Sequence, residues 1–251
     1  MPETSGERKY QAIASDLRAA IQRGEYSPGM RLPGENDIMR DYGVARMTAR
    51  QAVAVLVNEG LAVPRKGAGV YVREFRPIVR EGIGRLTAGT WTAGRSIWSA
   101  DIGTRDLHVD QVQVRQDDPP DHVRLLLDLT DAAARVVVRS RRFVLDGKPV
   151  LLSVSYLPAE IAAGSQIEQE DTGPGGTYAR LADLGHAPAG FREDLRARMP
   201  EPAETERLGM PPGTPVVEIT RTAYTAEGRV VEVNEMTADA GAYIFRYDFG
   251  A

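Results

Sequence analysis

Two arginines one helical turn apart, Arg46 and Arg50, carry the clearest chemistry in this 251-residue chain. A guanidinium is a planar fork of donors that matches the acceptor pair on a guanine edge. Over residues 45–59 the apolar side chains Ala49, Ala52, Val53, Leu56 and Val57 recur at helical spacing and gather on one stripe. Arg46, Met47, Arg50 and Gln51 are left on the opposite face, with the arginines near the helix N-terminus, the end that normally meets base edges in the major groove. A second cationic group, Arg65-Lys66-Gly67-Ala68, lies between two short runs that read as strands, residues 61–64 and 69–72. Glycine at a basic hairpin tip lets backbone and cations come close to phosphates or to the minor groove.

The elements that must position these groups are visible upstream. Residues 10–23 place Ile13, Leu17 and Ile21 at four-residue spacing with Ala14 and Ala20 beside them, and Gly24 and Ser27-Pro28-Gly29 end that helix. A second helix follows Arg31-Leu32-Pro33-Gly34-Glu35 and turns Ile38, Met39 and Tyr42 inward, while Glu35 and Asp37 suit the positive end of its dipole. Gly43 permits the sharp reversal into the arginine-bearing helix, and Gly60 closes that helix. Helix, turn, helix and basic hairpin in this order make a winged helix-turn-helix.

Composition narrows the functions. A hydrophobic share of 42% with 26% charged residues is that of an ordinary globular protein. The absence of cysteine excludes disulfides, thiolate metal sites and a cysteine nucleophile, and His108, His122 and His186 lack ligand spacing. No Ser-His-Asp arrangement or phosphate-binding glycine loop is evident, so neither enzyme activity nor a cofactor is expected. There is no apolar run of membrane-spanning length, and MPETSGERKY lacks the apolar core of a signal peptide, so a cytoplasmic protein without membrane contact is expected. Net charge is +2 over residues 1–75 and −6 over the rest. So small a basic excess implies that tight DNA binding needs two such domains, and hence a homodimer.

Residues 73–85 (REFRPIVREGIGR) mix charge, proline and glycine without periodicity, and 76–85 are assigned to a linker between a domain over 1–75 and another over 86–251. In the second domain residues 112–114, 124–129 and 134–144 look extended, and Leu145-Asp146-Gly147-Lys148 signals a hairpin into 149–156. Residues 216–224 and 230–236 form another hairpin about Glu227-Gly228, with helices expected over 159–163, 177–184 and 203–208. An antiparallel sheet with a few helices places the chain in the α+β class.

The stretches GEYSPGMRLPGE, VARMTAR, NEGL and KGAGVYV resemble the DNA-binding domain of the GntR family of bacterial transcription regulators. The resemblance implies that Arg46 and Arg50 read bases of a double-stranded operator, that Arg31, Asn36 and Thr48 support them at the DNA backbone, and that Lys66 and Gly67 reach the minor groove. Ala45 and Gly34 depart from the serines frequent at those positions. Roughly residues 86–248 resemble the UTRA effector domain of the HutC-type subgroup, on VVRSRRFVLDGKPVLLSVSYLP, GGTYARLADLGHAP, EPAETERLGMPPGTPVVEITRTAY and GRVVEVNEMTADAGAYIFRYDF. This implies a chorismate-lyase-like fold with a small-molecule effector held between sheet and helix, and points to Arg139, Arg141, Ser153, Tyr178, Glu232 and Tyr243 as its contacts. Phe143 stands where some sugar-phosphate-binding members have an arginine, and the serine that they have near Gly176 is missing.

The expected function is a homodimeric transcription repressor on an inverted-repeat operator, modulated by the effector. A constitutive dimeric repressor without ligand is the alternative, and a lyase-like enzyme fused to a DNA-binding domain a more distant one.

Overall fold

The computed structural model describes residues 5–74, 77–82, 86, 102 and 105–249. They divide into one unit of Met1–Arg76 with Met210–Thr214 and another of Pro77–Gly209 with Pro215–Ala251. In the first, α1 (Ser5–Gln22), α2 (Glu35–Tyr42) and α3 (Arg46–Asn58) precede the hairpin β1 (Ala62–Arg65) and β2 (Gly69–Val72). Ile13 and Leu17 of α1, Ile38 of α2, and Ala49, Ala52, Leu56 and Val57 of α3 bury together with Leu32, Ala62 and Val72. The apolar stripe of α3 is thus the buried one, and packing takes over from capping at its start. Ala45 caps α3 without a side-chain hydrogen bond, so the helix is held by its contacts. At α2, Asp37 Oδ2 instead accepts the Gly34 N–H at 3.1 Å, which satisfies one orphan group of the helix end. Gly43 turns between α2 and α3 at φ +63°, a conformation that a β-carbon would strain.

The second unit is built on a six-stranded sheet in the order β4 (Leu107–Asp117), β5 (Val136–Leu145), β6 (Lys148–Pro158), β9 (Val230–Asp239), β8 (Val216–Tyr224), β7 (Gly190–Arg198). Every neighbouring pair is antiparallel. The hairpin from β5 to β6 turns at Asp146 and Gly147, both with positive φ, as the Asp-Gly pair demands. On one face α4 (Asp121–Leu126) packs Val123, with Leu127 beyond it, against Val136, Val138 and Val233. On the other, α5 (Ala159–Ala162) and α6 (Gly176–Asp183) pack Ile161, Tyr178 and Leu181 against Val137, Leu157 and Ala223. The far end of that same face is covered by a parallel pair, β3 (Ile78–Glu81) and β10 (Tyr243–Arg246), whose Ile78 and Tyr243 pack with Phe143, Leu151, Ile219 and Met236. Helix α7 (Pro202–Leu208) meets β6, and the Arg207 carbonyl accepts from Arg142 at 2.9 Å.

Two of the sequence expectations are overturned here, and strand β7 was not among those expectations. Residues 76–85 were expected to be a linker, yet Ile78–Glu81 form β3 and bury Ile78 and Arg80, while 76 and 83–85 lie outside the described residues. Residues 124–129 were expected to be extended, but Asp121–Leu126 are helical and the chain turns at Asp128, φ +53°. Val123 and Leu127, four residues apart, bury on one side there, a spacing that the continuous apolar run Leu125-Leu126-Leu127 conceals. Strand β7, GFREDLRAR, has no alternating apolar pattern because it is an edge strand with most side chains in solvent.

Leu56 has no exposed surface. Leu56→Ala is expected to cost the first unit about 3 kcal/mol. Native-state hydrogen exchange checks this: amide protection in α1 and α3 falls by roughly a hundredfold while that of the six-stranded sheet is kept.

Candidate nucleic-acid interface and effector cavity

On the first unit, Arg46 and Arg50 project from the exposed face of α3, each with 64% of its side-chain surface free. Arg50 Nε donates to Glu35 Oε1 at 3.0 Å, Arg46 Nε lies 3.9 Å from Glu35 Oε2, and Arg46 Nη2 donates to Asn36 Oδ1 at 3.2 Å. Thr48 is half-buried in the first turn of the same helix. Arg31 forms an isolated bridge with Tyr71 of the wing. A β-carbon at position 69 would lie 2.8 Å from Arg31 Nε, so the bare backbone of Gly69 makes room for that guanidinium. Lys66 and Gly67 are exposed at the tip, and the Arg65 guanidinium sits 4.2 Å from the Tyr71 ring centroid, a cation–π contact that steadies the wing. The structure therefore gathers Asn36, Arg46 and Arg50 around Glu35, and sets Arg31 against the wing.

In the second unit, strand register builds a different arginine site. Arg139 of β5 lies opposite Ser155 of β6, Ser155 opposite Asn234 of β9, Asn234 opposite Arg221 of β8, and Arg221 opposite Glu193 of β7. This polar row crosses the sheet between the two apolar clusters that cover its ends. Above it is a cavity of about 730 Å³, lined on the strands by Arg139, Arg141, Phe143, Ser153, Arg221, Glu232 and Asn234, and on the helix side by residues 170–178. Arg139 is 1% exposed and donates to the Ile167, Gln169 and Glu170 carbonyls. Arg141 Nη2 donates to Ser155 Oγ at 3.0 Å, and Ser153 Oγ to Asn234 Oδ1 at 2.9 Å. Tyr178 donates its hydroxyl to Glu232 Oε2 at 2.6 Å.

Charge in this cavity is unevenly matched. Arg221 stands 4.0 Å from both Glu193 and Glu232, and Glu193 is in turn held by the buried Arg80, Nη1 to Oε2 at 2.8 Å. Arg139 and Arg141 have carbonyl and hydroxyl partners in place of a close carboxylate. Burial, then repulsion from Arg141, pulls the Arg139 pKa down to about 10, and burial also lowers that of Arg141. Burial likewise disfavours charge on Arg221, but the Tyr178 oxygen and the Glu232 and Glu193 carboxylates outweigh it, and its pKa is raised. Burial keeps the Tyr178 phenol well above its ordinary value, so it stays a neutral donor. Of the described cavity-lining side chains, Arg139 Nε, Arg141 Nε, Arg221 Nε and Thr177 Oγ1 are buried without a hydrogen-bond partner.

Five residues expected at the effector site, Arg139, Arg141, Ser153, Tyr178 and Glu232, line this one cavity. Tyr243 does not: it is on β10, in the apolar cluster with Ile78 and Phe143, stacked 5.8 Å from Phe245. Arg142, next to the cavity arginines in sequence, pairs with Asp110 and the Arg207 carbonyl instead. Arg221, Asn234 and Thr177 were missed. For Arg221 a signal existed, since Ile219 and Ala223 share its parity on β8, and an arginine on an apolar face is a buried one.

Comparison with known proteins decides the family. Residues 104–243 match the model of the UTRA domain, and residues 9–72 that of the gntR family of bacterial regulatory proteins. This chain belongs to the GntR family and carries a UTRA domain. An uncharacterized HTH-type transcriptional regulator of Streptomyces coelicolor is 30% identical to it over 249 residues, covering 96% of this chain and 92% of that one. The HTH-type transcriptional repressor NagR of Bacillus subtilis is 26% identical over 237 residues, covering 94% and 92%. A crystal structure of a GntR-family transcriptional regulator matches with a TM-score of 0.65 and 27% identity, over 97% of this chain and 98% of that one. The GntR-family protein described here is accordingly a DNA-binding transcription regulator with a ligand-binding effector domain, and its named relatives are regulators, not enzymes. Among the described residues no helix is long and apolar enough to cross a membrane.

Tyr178→Phe removes the hydroxyl on Glu232 but keeps the ring that packs 5.2 Å from Phe191. The carboxylate is left buried with one donor fewer, and the second unit is expected to lose about 1–3 kcal/mol, measured by thermal or urea unfolding.

Proposed function

We propose that this regulator is a homodimeric cytoplasmic repressor that binds an inverted-repeat operator and changes its hold on DNA when an anionic small molecule enters the UTRA cavity. The observation that carries the effector half is that Arg139 and Arg141 are sunk in the cavity's strands with carbonyl and hydroxyl partners, while of the three lining carboxylates only Glu232 is buried with them and Glu170 and Asp171 stand exposed at the rim. Buried charge is costly unless paired, so an anion that completes the pairing gains more here than it would in water. The start of α6 adds to the attraction, because its first N–H groups and dipole favour negative charge and Thr177 Oγ1 waits there without a partner. A cavity of about 730 Å³ is of a size that takes a small metabolite.

For the DNA half, the reading assigns base contacts to Arg46 and Arg50, backbone support to Arg31, Asn36 and Thr48, and minor-groove approach to Lys66 and Gly67. The exposure of both guanidiniums on a helix whose other side is core supports it. A net charge of only +2 over residues 1–75 supports the dimer, since one such domain would bind weakly. The name of NagR, a repressor, supports the direction of control. Effector and operator are coupled only if the effector binds one arrangement of the dimer better than the other, because equal affinity shifts nothing.

Arg50→Ala is expected to weaken binding to an operator selected from random duplexes by about 1–3 kcal/mol, with dimerisation unchanged by sedimentation. Inorganic phosphate, compared with chloride at matched ionic strength, is expected to raise the melting temperature of the full-length protein, and Arg141→Lys to reduce that rise. Equal melting in both salts speaks for a regulator that ignores anions.

A further inference from the structure

We propose that Glu35 is a positioning residue for sequence recognition, holding the Nε edge of Arg50 so that its Nη edge faces the bases, and drawing Arg46 alongside by charge while Asn36 takes Arg46 Nη2. Its charge at the same time makes DNA that lacks the operator a poorer ligand. The proposal rests on the reading of Arg46 and Arg50 as base contacts.

At the first turn of α2, Glu35 could serve only its own helix, but the side chain that accepts the Gly34 N–H there, at 3.1 Å, is that of Asp37. The Glu35 carboxylate is turned to α3 instead, 3.0 Å from Arg50 Nε and 3.9 Å from Arg46 Nε. Cations at positions i and i+4 of a helix repel each other, and an anion shared between them offsets this. Both guanidiniums are 64% exposed, so the ion pairs add little to folding stability. Their effect falls on orientation. With Nε of Arg50 engaged, the two-pronged Nη edge is the one left for the paired acceptors of a guanine, and rotamer freedom is given up before binding. On a duplex without the operator, the forks meet only phosphates, and a carboxylate beside them repels the same phosphates. Specificity is the difference between the two affinities, and Glu35 acts on both.

The test uses the full-length protein, the operator selected from random duplexes, and poly(dI-dC) as competitor. Glu35→Gln is expected to bind poly(dI-dC) more tightly with a steeper salt dependence, and to lose about tenfold in operator preference. Glu35→Asp keeps the charge but is one methylene too short to span both forks; it is expected to leave poly(dI-dC) affinity unchanged and to weaken operator binding. Melting temperatures of both variants should match the parent. Equal changes on both DNAs in Glu35→Gln, or wild-type behaviour of Glu35→Asp on both, would overturn the proposal. Arg50→Ala separates the two layers: if it keeps operator preference, base reading by Arg50 fails. If it loses preference while the Glu35 variants keep it, only the role of Glu35 fails.

Discussion

The register of five antiparallel strands sets Arg139, Ser155, Asn234, Arg221 and Glu193 side by side on one face of a sheet, and the effector unit is arranged around that polar row. A slip by one residue in any ladder would send a charged side chain to the opposite face and an apolar one into the row. The apolar clusters under α5 and α6 and under β3 and β10 hold the register, because each is assembled from the same strands on either side of the row. They also keep water from its two flanks, and charge interactions strengthen as the surroundings become less polarisable. Arg80 and Glu193 close one end as a buried ion pair, which leaves the mismatch at Arg139 and Arg141, where the cavity is.

The two units use arginine in opposite ways. In the cavity the guanidiniums are sunk in the sheet, tied to carbonyls and hydroxyls, and their positive charge is costly until something negative arrives. On α3 they stand in solvent, where their charge costs little and orientation is the scarce quantity. On the proposed function the buried set is a site for one small ligand of complementary charge. On the same proposal the exposed set serves a large polyanion, whose many phosphates attract any cation, so discrimination must come from how the forks are aimed.

Legibility followed the range of the contacts. The winged helix was visible residue by residue, since its stripe Ala49, Ala52, Leu56, its reversal at Gly43 and its basic hairpin are all patterns within a few residues of one another. The β5–β6 hairpin was visible for the same reason, through Asp146-Gly147. Strand β3 was not, because it pairs with β10, more than a hundred and fifty residues later in the chain, and its four residues carry no periodicity of their own. The helix α4 was hidden by a continuous apolar run that fits either structure. Tyr243 was placed at the effector site by resemblance, whereas the pairing of β10 with β3 puts it in the apolar cluster.

By itself the sequence determined that this chain has a DNA-binding winged helix, that Arg46 and Arg50 lie on the outer face of α3, and that Arg139, Arg141 and Phe143 share a strand face. Those follow from backbone periods of 3.6 and 2, which act on neighbouring residues alone. Only the tertiary structure decided that Arg221 and Asn234 join Arg139 in one row, that Glu193 is already committed to Arg80, and that Glu35 reaches across to α3. These depend on which strand pairs with which and how two helices cross, and such long-range choices are made by burial of the whole core, which no local window contains.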